Sequence, residues 1–343
     1  MKKSEKFIND SVFNVNLKYT KLQNETKELF FRCLDEGRSL KYFSKELDKI
    51  WGNLDRSFME NDIEEYKQII HNNNMQLMEI AMPKTEKETK KENSFFDIIS
   101  AVVVIGYEMK FVKQKEKEYN RSLKSPAYQN DKKEYLKLKV QKYTDGIVPY
   151  YVKKTGAVRE VPISVYASMV HNTNLTRSAW NEVLNEANRT GQNLFYIPYH
   201  NFSCPHCRVY QGKLYTREQV ENILLVKAEE QQEDLLHPNC QCLLTPYIPG
   251  LTKIEKTGYT DAENDEFYHI RQKALSLTLE KERLNTDKKI YQRLNDFENI
   301  DKVNQKRNKI NAKLRELKSE LPTEELQKQV TAINRNYTSS YYK

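Results

Sequence analysis

Apolar residues return at helical spacing through most of this chain. In "ETKELFFRCLDEG" the residues Leu29, Phe30, Cys33 and Leu34 fall on one face, and Gly37 closes the segment. "SLKYFSKELDKIWGNL" repeats the device with Leu40, Phe43, Leu47 and Trp51, stopped near Gly52. "FMENDIEEYKQIIHNNNMQLMEIAM" is a third such stretch. The polar run Pro83 to Ser94 reads as a linker or exposed loop. The apolar run that follows, Phe95 to Tyr107, is too short to span a bilayer and reads as a buried helix. Residues 1–150 are thus expected to form a helical N-terminal region.

From about residue 150 the texture changes. "VPISVYASMV" opens with Pro162, which suits a helix's first turn. A second helix is expected in "NLTRSAWNEVLNEANRTG", capped by Thr173 or Asn174. Leu175, Ala179, Val183, Leu184 and Ala187 stripe it, and Gly191 ends it. "NLFYIPY", "GKLYT" and "CLLTPYIPG" read as three short strands, the last broken by Pro246 and Pro249. Between the second and third, Thr216 and Gln219 form a capping box for a helix from 217 to about 234. After Gly250 the pattern is helical again, in "DAENDEFYHIRQKALSLTLEKERLNTDKKIYQRLND", "KVNQKRNKINAKLRELKSEL" and "TEELQKQVTAINRNY". The expected fold class is mainly α. A helical N-terminal region (1–150) and a charged helical hairpin or coiled-coil tail (251–343) flank a small α+β zinc-knuckle domain (151–250), itself a helix pair plus the cysteine-rich strands.

Composition narrows this picture. Among 343 residues, 38% are hydrophobic and 30% charged, so the cores are modest. Only 9 Gly and 10 Pro argue against a many-turned sandwich or barrel. The formal net charge is +8, from 56 Lys and Arg against 48 Asp and Glu. That basic bias permits contact with nucleic acid without requiring it. "MKKSEKFIND" has a basic start with no apolar core behind it, so no signal peptide is expected. A reducing cytoplasm follows, where clustered cysteines read as metal ligands before disulfides.

Four of the five cysteines lie in "YIPYHNFSCPHCRVYQGKLY" and "LLHPNCQCLLTPYIPG". The spacing is C-x2-C (Cys204, Cys207), then 29 residues, then H-x2-C-x-C (His237, Cys240, Cys242), with His200 and His206 nearby. Zn²⁺ takes four such ligands tetrahedrally, so one ion would join two separated hairpins. Cys204, Cys207, His237 and Cys242 are the expected ligands, with Cys240 in reserve. Cys240 and Cys242 would share a face of an extended segment, which leaves the fourth ligand open between them. Thiolates donate charge and make the ion a poor Lewis acid, so the site reads as structural rather than catalytic.

These residues resemble a known family. Cys204-Pro205-x-Cys207, Gln211-Gly212-Lys213, His237-Pro238-Asn239-Cys240 and Tyr247-Ile248-Pro249-Gly250 look like the motifs of the phage minor capsid protein 2 family. These are minor head proteins of tailed phages infecting Gram-positive bacteria. The family's last ligand position is commonly His where this chain has Cys242, a ligand-for-ligand exchange that favours Cys242 over Cys240. The resemblance covers roughly residues 150–340. It implies a structural virion component, assembled in the host cytoplasm and placed inside the head near the portal. The implied partners are the portal protein, the major capsid or scaffolding protein and the packaged double-stranded DNA. Neither a membrane nor an enzymatic activity is expected.

For DNA, the lysine- and tyrosine-rich stretch 110–145 offers Lys113, Lys115, Lys117, Lys132, Lys133, Lys137 and Lys139 as phosphate contacts. Tyr119, Tyr128 and Tyr135 could stack on bases or sit half-buried in helices. Two other readings compete. One is a zinc-centred nuclease or phage-borne toxin, which needs a general base beside metal-bound water. The other is a DNA-binding regulator, for which no base-reading helix adjoins the knuckle.

Overall fold

The computed structural model describes residues 2–81, 95–152, 156–200, 202–226, 235–254 and 257–328. The expected linker at 83–94 lies outside them, as do the continuation of the helix towards 234 and the chain beyond Lys328.

The helical periods of the first third become α1 (Lys2–Asp35), α2 (Leu40–Gly52), α3 (Ser57–Ala81) and α4 (Phe95–Leu123). Two shorter helices follow, α5 (Pro126–Asn130) and α6 (Lys132–Lys142). Next comes an antiparallel hairpin of β1 (Gly146–Val152) and β2 (Ala157–Pro162). The long helix α7 (Ile163–Thr190) leads into β3 (Leu194–Tyr196), α8 (Pro205–Arg208), β4 (Leu214–Thr216), α9 (Arg217–Leu225) and β5 (Thr245–Pro246). The chain then forms α10 (Asp261–Arg293) and α11 (Phe297–Ser319), joined by a turn at 294–296. A further helical turn begins after Thr323, whose hydroxyl receives the Leu326 amide. The architecture is mainly α with a few small strands, as the periodicity predicts.

Two features differ from the sequence reading. The hairpin β1–β2 was not anticipated; its signal is the β-rich "IVPYYV" before Gly156 and the alternating "AVREVP" after it. The expected helix pair before the knuckle is one continuous helix, α7. The Thr173 hydroxyl donates back to the Met169 carbonyl at 2.9 Å instead of capping a new start. The Asn172 and Thr176 side chains are drawn away to another segment, described below.

The chain divides into two compact units, each drawn from three separate segments. One comprises residues 17–54, 104–165 and 269–343. Its buried side chains include Phe30, Phe43, Leu47, Trp51, Phe111 and Tyr119. Phe43 stacks on Tyr119 with centroids 4.2 Å apart, and Phe30 meets both edge-on. α11 contributes Val303, Ile310, Leu314 and Leu317 to this unit's buried residues.

The other unit comprises residues 1–16, 55–103 and 166–268. Its core joins Ile8 of α1, Ile63, Tyr66 and Ile70 of α3, and the α7 stripe Leu175, Ala179, Trp180, Val183, Leu184 and Ala187. The stripe is the one read from the sequence. Phe195, Ile197, Val220, Leu235, Leu236 and Leu244 complete it, together with all four clustered cysteines. A three-stranded antiparallel sheet in the order β4-β3-β5 supports this core. The Gln192 side-chain amide donates to both the Leu194 and Tyr247 carbonyls at 2.6 Å, tying the strand entrance together.

Candidate metal centre

The first two thiols are set by a tight turn. Cys204 is the N-cap of α8, its Sγ accepting the Cys207 amide at 3.3 Å, with Pro205 pre-set for the first helical turn. The following reversal depends on Gly212. Its φ is +70°, its amide donates to the Ile197 carbonyl at 2.8 Å, and a Cβ there would lie 2.5 Å from the Tyr199 ring. No larger residue fits that approach without displacing Tyr199.

The second half is a turn whose Cys240 amide bonds the His237 carbonyl at 2.8 Å, with Leu236 and Asn239 at positive φ. Side chains of α7 hold it in place. Asn172 Nδ2 and Thr176 Oγ1 both donate to the Cys240 carbonyl, at 2.8 and 2.9 Å, and Trp180 Nε1 donates to the Cys242 carbonyl at 2.9 Å. On the knuckle side, Arg208 bonds the Ser203 carbonyl and pairs with Asp265. Gln211 Nε2 reaches the Ser203 hydroxyl at 2.8 Å and Cys242 Sγ at 3.5 Å.

His237 Nε2 then lies 3.0 Å from Cys204 Sγ and 3.1 Å from Cys207 Sγ, and Cys207 Sγ lies 3.4 Å from Cys240 Sγ. A tetrahedral zinc site separates its donor atoms by about 3.5–3.8 Å, given bond lengths of about 2.0–2.3 Å. The His237 and Cys207 contacts fall about half an ångström short of that spacing, and Cys240 and Cys242 group with Cys207 and not with Cys204 and His237. His237 Nδ1 faces the Pro238 carbonyl at 2.7 Å. A carbonyl can only accept, so Nδ1 carries a proton and Nε2 is the nitrogen that faces the thiols, available as a metal ligand once its own proton leaves. All four cysteines are buried and none forms a disulfide.

Protons fit this cluster poorly. The hydrogen bond from Cys207 lowers the Cys204 thiol to about 4, helped by His237 and opposed by burial. Burial works to lower the His237 imidazole, but the Cys204 hydrogen bond and the charges of Cys240 and Cys204 outweigh it and raise it to about 9. Cys207 is pushed up, chiefly by its hydrogen bond with Cys204. Thiols split between thiolate and thiol at contact distance are what a divalent cation would unify.

The structure brings Cys204, Cys207 and His237 together and places both Cys240 and Cys242 beside Cys207. These groups could hold a metal ion. Cys240 has the 3.4 Å contact to Cys207, while Cys242 Sγ faces Gln211 and lies 3.6 Å from His200 Nε2. His206 is exposed, as a knuckle residue is expected to be. The sequence reading missed the supporting shell of Asn172, Thr176, Trp180, Arg208 and Gln211. The polar interruptions Asn172 and Thr176 beside an apolar stripe were its one visible trace.

The matching family model is that for phage minor capsid protein 2, over residues 124–321. The chain belongs to the phage minor capsid protein 2 family. The match spans the whole metal centre. No curated protein and no solved structure matches the chain.

The lysine stretch of this minor capsid protein needs one correction. Lys115 is fully buried, its Nζ donating to the Thr144 carbonyl at 2.6 Å, pairing with Glu118 at 3.3 Å and lying 4.1 Å from the Tyr143 ring centroid. Burial lowers its pKa against the pull of Glu118 and Asp145. It serves the interior and is not a phosphate contact. Lys113, Lys117, Lys132 and Lys133 are exposed, and Lys137 and Lys139 are half-buried. Lys132 bonds the Asp35 carbonyl and Lys137 pairs with Asp296. Lys113 and Lys117 continue with Lys110 and Arg121 along one side of α4, in a groove of about 640 Å³. The tyrosines are not base-stacking platforms: Tyr119 and Tyr128 are buried, and their hydroxyls bond the Arg38 and Leu34 carbonyls. Tyr135 is half-buried and bonds Ser122.

A second polar group bears on the enzyme reading. Ser11 Oγ lies 2.6 Å from His171 Nε2, but its proton goes to Asp62 Oδ2 at 2.5 Å. The carboxylate therefore holds the hydroxyl instead of orienting the imidazole from behind, and Ser11 is only 4% exposed. This is the geometry of a buried polar bridge. Among the described residues no helix is long and apolar enough to cross a membrane.

Proposed function

We propose that this chain is a structural minor component of the virion head, located inside the head near the portal, whose middle region is stapled by zinc. The observation that carries the reading is the family match across residues 124–321, which includes every clustered Cys and His. Zinc is the ion of choice because the donors are soft thiols with one imidazole, gathered in two groups that share Cys207. Cys204, Cys207 and His237 supply three ligands, and Cys240 or Cys242 the fourth. A thiolate-rich ion with its coordination filled from the protein has neither the charge nor the open position to activate water, so its work is mechanical.

The neighbours in this reading are the portal protein and the major capsid or scaffolding protein, with packaged double-stranded DNA facing the exposed lysines of α4. Mass spectrometry of purified particles, combined with residue-level cross-linking and metal analysis of the isolated protein, tests it. Zinc-loaded protein in particles, cross-linked to portal, is the expected result. Protein confined to the lysate and missing from particles overturns the virion reading.

A further inference from the structure

The unit without the cysteine cluster contains a cleft of about 810 Å³, walled by α10 and α11 on one side and by the base of the β1–β2 hairpin on the other. That volume falls within the about 300–1,000 Å³ of small-molecule clefts. Its floor is the segment 143–145, which the fold holds still. The buried Lys115 ammonium donates to the Thr144 carbonyl at 2.6 Å, and Gln23 Nε2 donates to the Asp145 carbonyl at 3.4 Å. Phe30 and Phe31 pack on the Tyr143 ring, and the Lys115 and Lys27 ammonium groups lie 4.1 and 5.1 Å from its centroid.

Tyr143 and Asp145 both line the cleft, and their side-chain atoms Oη and Oδ1 are buried and bond no protein group. Buried polar atoms without a partner are few in folded proteins, so two at one cleft point to a ligand. A phenol donates and a carboxylate accepts, so this floor suits a group that does both. Burial pushes the Asp145 carboxyl above its usual range, against Lys115, Lys27 and Arg283, and an N–H or O–H donated by a ligand would offset that cost.

The other wall is basic. Lys302, Lys306 and Lys309 share one face of α11, and Arg283 of α10 lines the same cleft. Lys302 is paired with Glu298, and Lys27 with Asp287. Lys306, Lys309 and Arg283 are exposed and have no ion-pair partner among the described residues. Glu160 of β2 adds a second carboxylate on the hairpin side. The cleft is therefore bipolar, with free cations on one wall and acceptors on the other. Inorganic phosphate would satisfy only the first wall, and a nucleoside only the second. We propose that the cleft binds a single nucleotide, its phosphate held by Lys306, Lys309 and Arg283 and its sugar or base hydrogen-bonded to Tyr143 and Asp145. A free nucleotide and the phosphorylated end of a DNA strand carry that chemistry alike. The site shares no residue with the cysteine cluster or the α4 lysines.

The test is calorimetric titration of the full-length protein with deoxynucleoside monophosphates, with nucleosides and with inorganic phosphate. The nucleotide should bind at least about tenfold more tightly than either fragment. Tyr143→Phe keeps the ring and removes the hydroxyl, so it should weaken nucleotide binding about two- to tenfold with no loss of melting temperature. Exchanging the exposed Lys306 and Lys309 for Gln should weaken nucleotide binding and leave nucleoside binding unchanged, while Lys113→Gln on α4 should alter neither. A short single-stranded oligonucleotide, with and without a 5′-phosphate, separates the sources. Binding that requires the phosphate supports strand ends as ligands, and binding of neither form supports the free nucleotide. Nucleotide binding that is absent, no tighter than that of inorganic phosphate, or unchanged by both Tyr143→Phe and the double lysine exchange overturns the proposal.

Discussion

Stripping the metal should unfold the unit that holds it, and the chain carries its own reporter. It has two tryptophans, Trp51 and Trp180. Trp180 donates its indole N–H to the Cys242 carbonyl and is fully buried in the core that contains the four cysteines. Trp51 belongs to the other unit, bonded to the Thr26 hydroxyl. Regular structure around the centre is thin: β3 and β4 have 3 residues each, β5 has 2 and α8 has 4. On the proposed reading, the ion supplies much of what backbone pairing does not. At free metal a thousandfold above Kd, binding adds about 4.1 kcal/mol. That is a large share of the about 5–15 kcal/mol a domain possesses. For a domain of about 150–250 residues each kcal/mol is worth about 2–4 °C, so the melting midpoint should fall by about 8–16 °C. The assay is Trp180 emission in a Trp51→Phe background, followed on heating with and without a strong chelator. A red shift and an early melt are expected from Trp180, with recovery on adding zinc back. Unchanged emission and midpoint in material verified to be metal-free would falsify the claim that an ion holds this region together.

Four other outcomes follow. His237→Ala should lose bound metal and lower the same midpoint, whereas His237→Cys, a ligand exchange, should retain metal; elemental analysis separates them. Gly212→Ala should cost about 2–4 kcal/mol from its positive φ and the Tyr199 clash, and Tyr199→Ala should relieve part of that in the double variant, as denaturant titration can measure. Burial raises the pKa of Glu282, so its favourable contribution is complete below the ordinary carboxylate value and is lost as pH rises through the raised one. Glu282→Gln should therefore gain on the unaltered protein as pH rises from the ordinary carboxylate range towards neutrality, which denaturant titration at both ends of that range can measure. Exchanging Lys113 and Lys117 for Gln should flatten the salt dependence of duplex binding by about 1.8 in log–log slope without altering the melt. Lys115→Gln should do the reverse.

Local signals were readable wherever one short stretch determines the outcome. The α1 face Leu29, Phe30, Cys33 and Leu34 is buried throughout, and the Thr216–Gln219 capping box starts α9 as its residues dictate. The three short strands of the knuckle appear where apolar runs meet Gly and Pro. What escaped was set by distant partners. Thr173 has the chemistry of a cap, yet its hydroxyl bonds within a helix that was already running. Lys115 stands in a basic, solvent-like sequence, and only Thr144, Glu118 and Tyr143 turn it inward. Tyr119 and Tyr128 find backbone carbonyls of α1 and of the turn after it, which no periodicity announces. The compact units are likewise built from segments far apart in sequence.

The candidate metal ligands fall between these cases, and the reason is chemical. A thiolate cluster needs its residue types and its two turns, both written in C-x2-C and H-x2-C-x-C. Which thiol serves as fourth ligand depends on where α7 pins the backbone of 240–242. Asn172 and Thr176 both bond the Cys240 carbonyl, and Trp180 bonds that of Cys242, so the segment is held at two points two residues apart. Held there, Cys240 meets Cys207 while Cys242 turns to His200 and Gln211. Removing one anchor should move one thiol more than the other. Trp180→Phe deletes the Cys242 anchor alone, so it should weaken metal held through Cys242 while Cys204, Cys207, His237 and Cys240 keep theirs. In a competition titration an ion bound through Cys240 would leave the affinity of that variant unchanged, whereas an ion bound through Cys242 would be held less tightly.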